Sequence, residues 1–232
     1  MERFYKIAGL TVKMDTFGRT VEQAKPYECL PSEKVDVDIQ DDWRKFQAQQ
    51  PHLPVDDCEY MTTGNAFYRH LLKFDGLLLH ASAVVLDGKA YLFSAPSGTG
   101  KSTHTKLWLK VFGDRATILN DDKPALRYED GVWYAYGTPW SGKYDINCNI
   151  KAPVAGIAMV ERADKNSIEP FTGTRAIRAL LEQTVRPKGV AVREKLLEIV
   201  DLLFKHVPVW TLRCNMEEEA VRVSYEAMRG KE

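Results

Sequence analysis

The sequence predicts an α/β protein organised around a strand, a glycine-rich loop and a helix, with a β-rich segment before them. Three observations support this prediction. Residues 89–104 comprise a short apolar strand, a loop rich in small residues and the start of an amphipathic helix over 102–112. Residues 115–122 form another apolar strand that ends in two aspartates. Residues 1–75 contain two or three stretches of alternating apolar and polar residues, which are typical of exposed strands and predict an antiparallel, β-rich appendage.

The loop Ala95-Pro-Ser-Gly-Thr-Gly-Lys-Ser102 has the spacing of a phosphate-binding loop (Walker A), except that alanine stands at its first glycine position. Its glycines allow backbone N–H groups to turn toward phosphate oxygens, and the following helix directs its positive N-terminal end at the same anion. Lys101 is predicted to reach the β- and γ-phosphates of a nucleotide, and the Ser102 hydroxyl to bind Mg²⁺. The plainer alternative is a flexible turn between two core elements.

The strand over 115–122 has the pattern of a Walker B element. Carboxylates at the end of such a strand lie where an open α/β sheet binds its ligands, so Asp121 and Asp122 are predicted to serve as the base for an attacking hydroxyl and as a metal contact. Ser102 and Asp122 are the predicted metal ligands, while the sequence alone leaves both assignments of base and metal contact open between Asp121 and Asp122. The alternative is a polar turn, since Asn and Asp favour turns in any case.

His80 lies in the most apolar run of the chain, residues 77–86, which continues through an Asp87-Gly88 hairpin turn into the strand before the phosphate loop. It is therefore a candidate catalytic residue, or alternatively a core histidine. Lys143 ends a glycine-punctuated segment that begins at Gly137. That segment is either a surface turn or a second contact to the γ-phosphate or the acceptor.

Patterning assigns further elements along the chain. Helices are predicted over 41–49 and 65–74, and from a Thr174 cap to about 184. A longer helix is predicted to follow residues 186–189 and to end near 206, and a terminal helix to follow Asn215 and Glu218, which are close to a capping box. Strands are predicted over 154–160, 168–171 and 208–213, with a hairpin over 125–136. The predicted division is a β-rich N-terminal region, 1–75, and a core with C-terminal helices, 76–232.

Composition narrows the class of protein. The 232 residues carry 32 Lys and Arg against 32 Asp and Glu, which argues against nucleic acid as a partner. The four cysteines are scattered without a Cys-x-x-Cys pair, so neither a zinc site nor a disulfide framework is indicated. No apolar run approaches the length of a membrane span, and no secretion signal is evident. A cytoplasmic protein with no membrane partner is expected.

Three segments together resemble the catalytic core of the HPr kinase/phosphorylase family: Leu79-His80, the loop from Ala95 to Thr103, and Leu119-Asn-Asp-Asp122. The resemblance covers roughly residues 76–160. It implies a P-loop kinase core with a mixed sheet, akin to phosphoenolpyruvate carboxykinase. It also implies that His80 lies beside the acid pair, and it allows a homo-oligomer because the family is known for hexamers. Thr103 departs from the acid usual there, and the later Leu-Glu-Ile-Arg-Gly signature has no clear counterpart.

These features predict an ATP- and Mg²⁺-dependent kinase that phosphorylates a hydroxyl, most simply a serine of a protein or peptide. A sugar or polyol kinase and a nucleotide-binding switch or scaffold without phosphotransfer are the alternatives. The predicted catalytic residues are Asp121, Asp122, His80 and Lys101. The predicted nucleotide contacts are Ser97, Gly98, Thr99, Gly100, Lys101, Ser102, Thr103 and Lys143.

Overall fold

The structure confirms an α/β fold with mixed sheets. It is a computed structural model that describes residues 2–40 and 42–230. Within these residues the strands are β1 (Glu2–Ile7), β2 (Leu10–Asp15), β3 (Val37–Ile39), β4 (Gly76–Leu78), β5 (Ala81–Leu86), β6 (Lys89–Ser94), β7 (Ala116–Asn120), β8 (Ala125–Glu129), β9 (Val132–Tyr136), β10 (Lys151–Arg162), β11 (Ser167–Pro170) and β12 (Val209–Cys214). The helices are α1 (Gly18–Ala24), α2 (Trp43–Gln49), α3 (Val55–Leu71), α4 (Lys101–Phe112), α5 (Gly173–Glu182), α6 (Val190–His206) and α7 (Glu218–Met228). None of the helices in these described ranges is long and apolar enough to cross a membrane.

The large sheet brings four strand ends to one edge. Its strands follow the order β4-β8-β9-β10-β6-β5-β7, with β12 on β10 and β11 on β12. β5 is antiparallel to both β6 and β7, whereas β10 is parallel to β6 and to β12. Consequently β6, β7, β10 and β12 all run in one direction, and their carboxyl ends share an edge. Ligands in open α/β sheets bind at this kind of edge.

The two hairpin predictions are confirmed. At the β5–β6 turn Asp87 and Gly88 have φ values of 49° and 79°, and at the β8–β9 turn Asp130 and Gly131 have 50° and 86°. Positive φ at both central residues suits the twist of a two-residue hairpin, and it explains the Asp-Gly sequence of both turns. The turns fix the register of β5 on β6 and of β8 on β9.

Helices cover both faces of the large sheet. Alternate residues of β6 point to opposite faces: Leu92 packs in a core with α5 and α6, whereas Tyr91 and Phe93 pack with α4 and α7. Trp108 of α4 is fully buried against both aromatic rings. Because β6 is apolar on both faces, it forms a rigid base for the loop that follows it.

The N-terminal strands differ from the expected exposed, antiparallel arrangement. β1 and β2 are antiparallel, but β3 pairs with β2 in parallel. Tyr5, Ile7 and Val12 are fully buried, because this three-stranded sheet packs with α3 on residues of the large sheet. The strands therefore present an apolar face to the rest of the protein instead of standing free. The division at residue 75 stays a prediction.

Helix boundaries differ from prediction at three places. α3 starts at Val55, ten residues before the predicted Asn65, because Pro54 precedes the helix and does not interrupt it. The Thr174 cap is wrong: α5 begins at Gly173, Thr172 occupies the cap position, and its side chain makes no capping bond. The Asn215 capping box is also wrong, since Glu217 is the cap of α7, and Asn215 instead accepts a hydrogen bond from the Glu217 N–H at 3.0 Å.

A buried carboxyl group lies at the contact between α1 and α3. Glu59 is 1% exposed, its Oε2 accepts a hydrogen bond from the Thr20 hydroxyl, and its Oε1 has no partner among the described residues. Burial raises the pKa of Glu59 to about 7, although the Thr20 hydrogen bond acts in the opposite direction. The protonated form is thus the one that the folded protein favours.

Raising the pH should therefore weaken the fold through Glu59. The pKa of Glu59 is about 7 in the folded protein and 4.5 when the group is unperturbed. The contribution of protonated Glu59 to the free energy of unfolding is therefore complete below pH 4.5 and is lost as the pH rises through 7. The loss corresponds to about 3 kcal/mol, at 1.36 kcal/mol for each pKa unit. The measurement is urea unfolding of the wild type and of Glu59→Gln at pH 4.5 and 7.5. The free energy of unfolding should fall between these pH values by more in the wild type than in the variant. Parallel pH profiles for the two proteins would contradict the assignment.

Candidate active site

A cavity of about 980 Å³ opens at the edge where β6, β7, β10 and β12 end. It is lined by every residue that the sequence singled out as a site residue: His80, Ser97, Gly98, Thr99, Gly100, Lys101, Ser102, Thr103, Asp121, Asp122 and Lys143. Residues separated by more than sixty positions thus come together in one place. The topology of the sheet, described above, is the reason.

The loop between β6 and α4 has the backbone that its sequence demands. Gly98 and Gly100 have φ values of 80° and 121°, which L side chains rarely adopt. A Cβ atom at either position would have nothing within 4 Å, so glycine is required there by conformation and not by crowding. α4 begins directly afterwards at Lys101, which places the positive end of a twelve-residue helix at the cavity.

Lys101 is held inward, beside the loop. Its ammonium group donates to the carbonyl oxygens of Ala95 at 2.8 Å and Pro96 at 3.3 Å, and the residue is 6% exposed. Burial lowers the pKa of Lys101, while the nearby charges of Asp122 and Asp121 act to raise it. A buried ammonium group with two carboxylates nearby suits a phosphate contact.

Asn120 fixes the turn that carries both acids. Its side-chain carbonyl accepts hydrogen bonds from the backbone N–H groups of Asp122 at 2.9 Å and Lys123 at 2.7 Å. Its amide nitrogen donates to Thr138 O at 3.0 Å, and Trp140 O lies 3.3 Å away. The residue is fully buried, so the end of β7 and the segment 138–140 are joined through a single side chain.

Asp121 faces the helix that follows the loop. Its Oδ1 accepts a hydrogen bond from the Ser82 hydroxyl at 2.6 Å, and Ser82 lies 2.7 Å from the Thr105 hydroxyl. Ser82 and Thr105 are fully buried, and Asp121 is 5% exposed. A chain of hydroxyl groups therefore connects the carboxylate to α4 one turn after Lys101 and Ser102.

Asp122 lies between His80 and Lys123, two hydrogen-bond donors that can carry a positive charge. His80 Nε2 lies 3.2 Å from its Oδ1, and Lys123 Nζ lies 2.5 Å from its Oδ2. Burial acts to raise the pKa of Asp122, but the hydrogen bonds and charges of His80 and Lys123 outweigh it and lower the pKa to about 2. Asp122 is accordingly a carboxylate throughout the neutral pH range.

His80 is oriented from its other side by α5. Gln183 Oε1 lies 2.9 Å from His80 Nδ1, and the Gln183 carbonyl accepts a hydrogen bond from the His80 N–H at 2.7 Å. His80 follows β4 and precedes β5, so it lies at the cavity and is not a core histidine. Gln183 was missed from the sequence because it is more than a hundred residues away in a segment without a motif.

The segment from Gly137 to Lys143 reaches the cavity at its end, where Ser141, Gly142 and Lys143 line one side. Trp140 is 1% exposed and stacks on Phe67 with ring centroids 5.1 Å apart. Gly142 lies against Asp122, since a Cβ there would be 2.9 Å from Asp122 Cβ. Lys143 and the next residue reach the rim of the cavity. The segment is thus part of the site and not a detached surface turn.

Arg162, at the end of β10, contacts the loop from the opposite side. Its Nε donates to Thr99 O at 2.9 Å, and its Nη2 donates to Gly98 O. From the sequence alone, Arg162 is one of four arginines, with Arg175, Arg178 and Arg186, that are each either a candidate phosphate contact or a solvated surface charge. Its place at the carboxyl end of a buried strand was the signal that distinguishes it from the others. The cavity continues past Arg162 to Asp164, Asn215 and Met216.

The donor groups fit a nucleotide-bound Mg²⁺ better than an all-protein metal site. Among the described residues, no group of three or more His, Cys, Asp and Glu side chains is arranged to hold a metal ion. Mg²⁺ at nucleotide sites is bound by one or two carboxylates together with phosphates and water. The Ser102 hydroxyl and the Asp121–Asp122 pair on the cavity wall meet that smaller requirement.

Comparisons with known proteins give a family and a distant structural likeness. The model of the family described as "SynChlorMet cassette protein ScmC" matches residues 57–220, well over half of the chain. The HPr(Ser) kinase/phosphatase from Coxiella burnetii matches at 14% sequence identity and a TM-score of 0.36, over 66% of this chain and 99% of that chain. A likeness at this level assigns neither a function nor a site. No protein with a curated description matches the chain in sequence.

Replacing Gly64 of α3 by alanine should destabilise the fold, because the absence of a side chain at Gly64 provides room for Trp140. A Cβ at this position would lie 2.8 Å from Trp140 Cδ1. Alanine usually stabilises a helix interior by roughly 0.5–1 kcal/mol relative to glycine, whereas overpacking a core costs about 1–3 kcal/mol. We expect overpacking to dominate, so that Gly64→Ala lowers the free energy of unfolding by about 1 kcal/mol. Gly156→Ala, where the nearest atom is 3.4 Å away, is the control. A gain in stability for Gly64→Ala would contradict the tight contact.

Proposed function

The chain belongs to the ScmC family, and we propose that it is an ATP- and Mg²⁺-dependent kinase that transfers the γ-phosphoryl group to a hydroxyl, in the first instance a serine of a protein or peptide. One observation supports the proposal above all. The cavity brings the Lys101–Ser102 end of a glycine-rich loop together with a carboxylate pair and a histidine. Phosphoryl transfer needs these two parts: a cradle for phosphate charge, and a group that orients the attacking hydroxyl.

The loop and α4 are the part that would hold the nucleotide phosphates. The positive φ values of Gly98 and Gly100 shape the loop, and the N–H groups at the start of α4 lack partners within the helix. Lys101 adds a charge from inside the loop. When bound, ATP supplies the phosphoryl group, and Mg²⁺ neutralises the charge of its phosphates.

The contacts of the two aspartates favour different roles. Asp122 has a donor on each oxygen, and one donor is the Lys123 ammonium group, which disfavours a second cation. Asp121 uses Oδ1 for Ser82 and is linked through Thr105 to the helix that carries Ser102. We therefore assign Asp121 and Ser102 to the metal, in place of the Asp122 expected from the sequence.

Asp122 and His80 are assigned to the acceptor hydroxyl. A carboxylate whose pKa is about 2 stays ionised and can accept a hydrogen bond from a hydroxyl at any neutral pH. Its low basicity means that it orients the hydroxyl more than it retains the proton. This fits a reaction in which positioning and electrostatics supply most of the acceleration. His80, held by Gln183, keeps the carboxylate in place.

Lys101→Ala should abolish most transfer without unfolding the protein. Loss of a group that stabilises transition-state charge costs roughly 10²–10³-fold in rate. The assay incubates γ-labelled ATP and Mg²⁺ with the full chain and with serine peptides, proteins and polyols as acceptors. Lys110→Ala is the matched control, because Lys110 is on the same helix but pairs with Glu218 on the surface. Full activity in a folded Lys101→Ala variant would overturn the proposal, and so would nucleotide binding without transfer to any acceptor.

Asp121→Asn and Asp122→Asn should be separable by their Mg²⁺ dependence. We expect Asp121→Asn to need more Mg²⁺ for half-maximal rate and to recover partly at high Mg²⁺. Asp122→Asn should lower kcat by about 10²–10⁴-fold at saturating Mg²⁺, with an unchanged Mg²⁺ requirement. Titrating Mg²⁺ for both variants measures the difference. Identical Mg²⁺ curves would refute the division of roles, and wild-type rates in both variants would refute the whole acid assignment.

A further inference from the structure

Two lysines share one aromatic ring at the mouth of the cavity. Lys106 Nζ lies 4.7 Å from the centroid of the Tyr144 ring, and Lys143 Nζ lies 4.8 Å from it. Both lysines are exposed, and the tyrosine is 53% exposed. Within residues 2–40 and 42–230, neither lysine forms an ion pair with a carboxylate, in contrast to Lys110 and Lys123. We call these three residues the rim cluster.

The rim cluster lies on the same side of the cavity as Asp122. Lys143 follows Gly142, the residue that packs directly against Asp122. Lys106 comes one helical turn after Ser102 and so lies on the same face of α4. Lys143 is thus next in the chain to the residue that packs on Asp122, the carboxylate assigned to the acceptor hydroxyl, whereas Arg162 contacts the loop from the β10 side.

The loop that carries the cluster is anchored from behind. Arg19 donates to Gly142 O and to Asp145 Oδ1, the latter at 2.7 Å, and Gln23 donates to the same carboxylate at 2.5 Å. The Gly142 N–H donates to the Tyr60 hydroxyl at 3.1 Å. The acid nearest the cluster in sequence is thus occupied by other groups and does not neutralise the lysines.

Two ammonium groups on one ring repel each other, and an exposed cation–π contact is a weak attraction. An anion between or beside them would relieve that repulsion. We propose that the rim cluster binds an acidic peptide segment, so that the acceptor is a serine or threonine flanked by Asp or Glu. The exposure of all three side chains fits an extended chain lying across the rim better than an enclosed small molecule. This inference rests on the proposed kinase function.

Binding can be measured without catalysis, using fluorescein-labelled hexaglutamate and the full chain. We expect the wild type to bind it with an affinity that falls as salt rises, and the double variant Lys106→Gln, Lys143→Gln to bind about 10-fold more weakly. Lys110→Gln, on the same helix, is the control and should bind as the wild type does. Equal binding by the double variant and the wild type would overturn the assignment.

Transfer tests the same idea with three serine peptides that differ only in Glu, Gln or Lys at the flanking positions. We expect the Glu peptide to have the lowest KM, and the double Gln variant to raise that KM about 10-fold with little change in kcat. The charge-reversed variant Lys106→Glu, Lys143→Glu should prefer the Lys peptide. Equal KM values for the three peptides would overturn the inference. An increased KM for ATP alone would also overturn it, because the lysines would then serve the nucleotide.

The two experiments separate the inference from the function on which it rests. Lysine-dependent binding of hexaglutamate with no transfer to any acceptor would refute the kinase and keep the anion site. Transfer that ignores the flanking charge, together with no binding of hexaglutamate, would refute the anion site and keep the kinase.

Discussion

The buried side chain of Asn120 holds the acidic turn and the neighbouring segment in one arrangement. Its side-chain carbonyl accepts hydrogen bonds from two backbone N–H groups of the turn at 121–123, and its side-chain amide donates a hydrogen bond to the segment that leads to Trp140. A buried amide left without partners costs about 1–3 kcal/mol, so the alternatives in which either segment moves away are disfavoured. Asn120 therefore fixes the backbone of the turn that carries Asp122 relative to the segment that leads to Gly142.

The charged side chains of the cavity can be buried because each has polar or oppositely charged partners. Lys101 and Asp121 are nearly fully buried, and an isolated charge in such surroundings would neutralise itself. Here the Lys101 ammonium group donates to two backbone carbonyls and feels the charges of Asp122 and Asp121, while Asp122 contacts His80 and Lys123. These contacts hold the side chains oriented before any ligand arrives. Preorganised charge of this kind is what phosphoryl transfer requires.

Local patterns predicted the elements that depend on neighbouring residues. The strand, loop and helix over 89–112 and the Asp-Gly hairpins were accessible, because a few adjacent residues decide each of them. Contacts between segments that are far apart in the chain could not be predicted from such local patterns. Ser82, Thr105 and Gln183 orient the predicted acids and histidine, yet each is an ordinary polar residue until the sheet brings it into contact. The parallel pairing of β3 was missed for the same reason, since alternation shows a strand but not its partner.

The cavity draws support from a segment outside the region that matches the family. The match covers residues 57–220, whereas α1 ends at Ala24. Arg19 and Gln23 nevertheless hold Gly142 and Asp145, and Tyr27 donates to Asn147 at 2.9 Å. The glycine-rich loop is held by β6, α4 and Arg162 of β10, whereas the segment next to Asp122 is held by α1. The rim beside Asp122 and the glycine-rich loop therefore depend on different elements of the fold. On the proposed function, a change in α1 would act on the acceptor side of the cavity and not on the backbone of the glycine-rich loop.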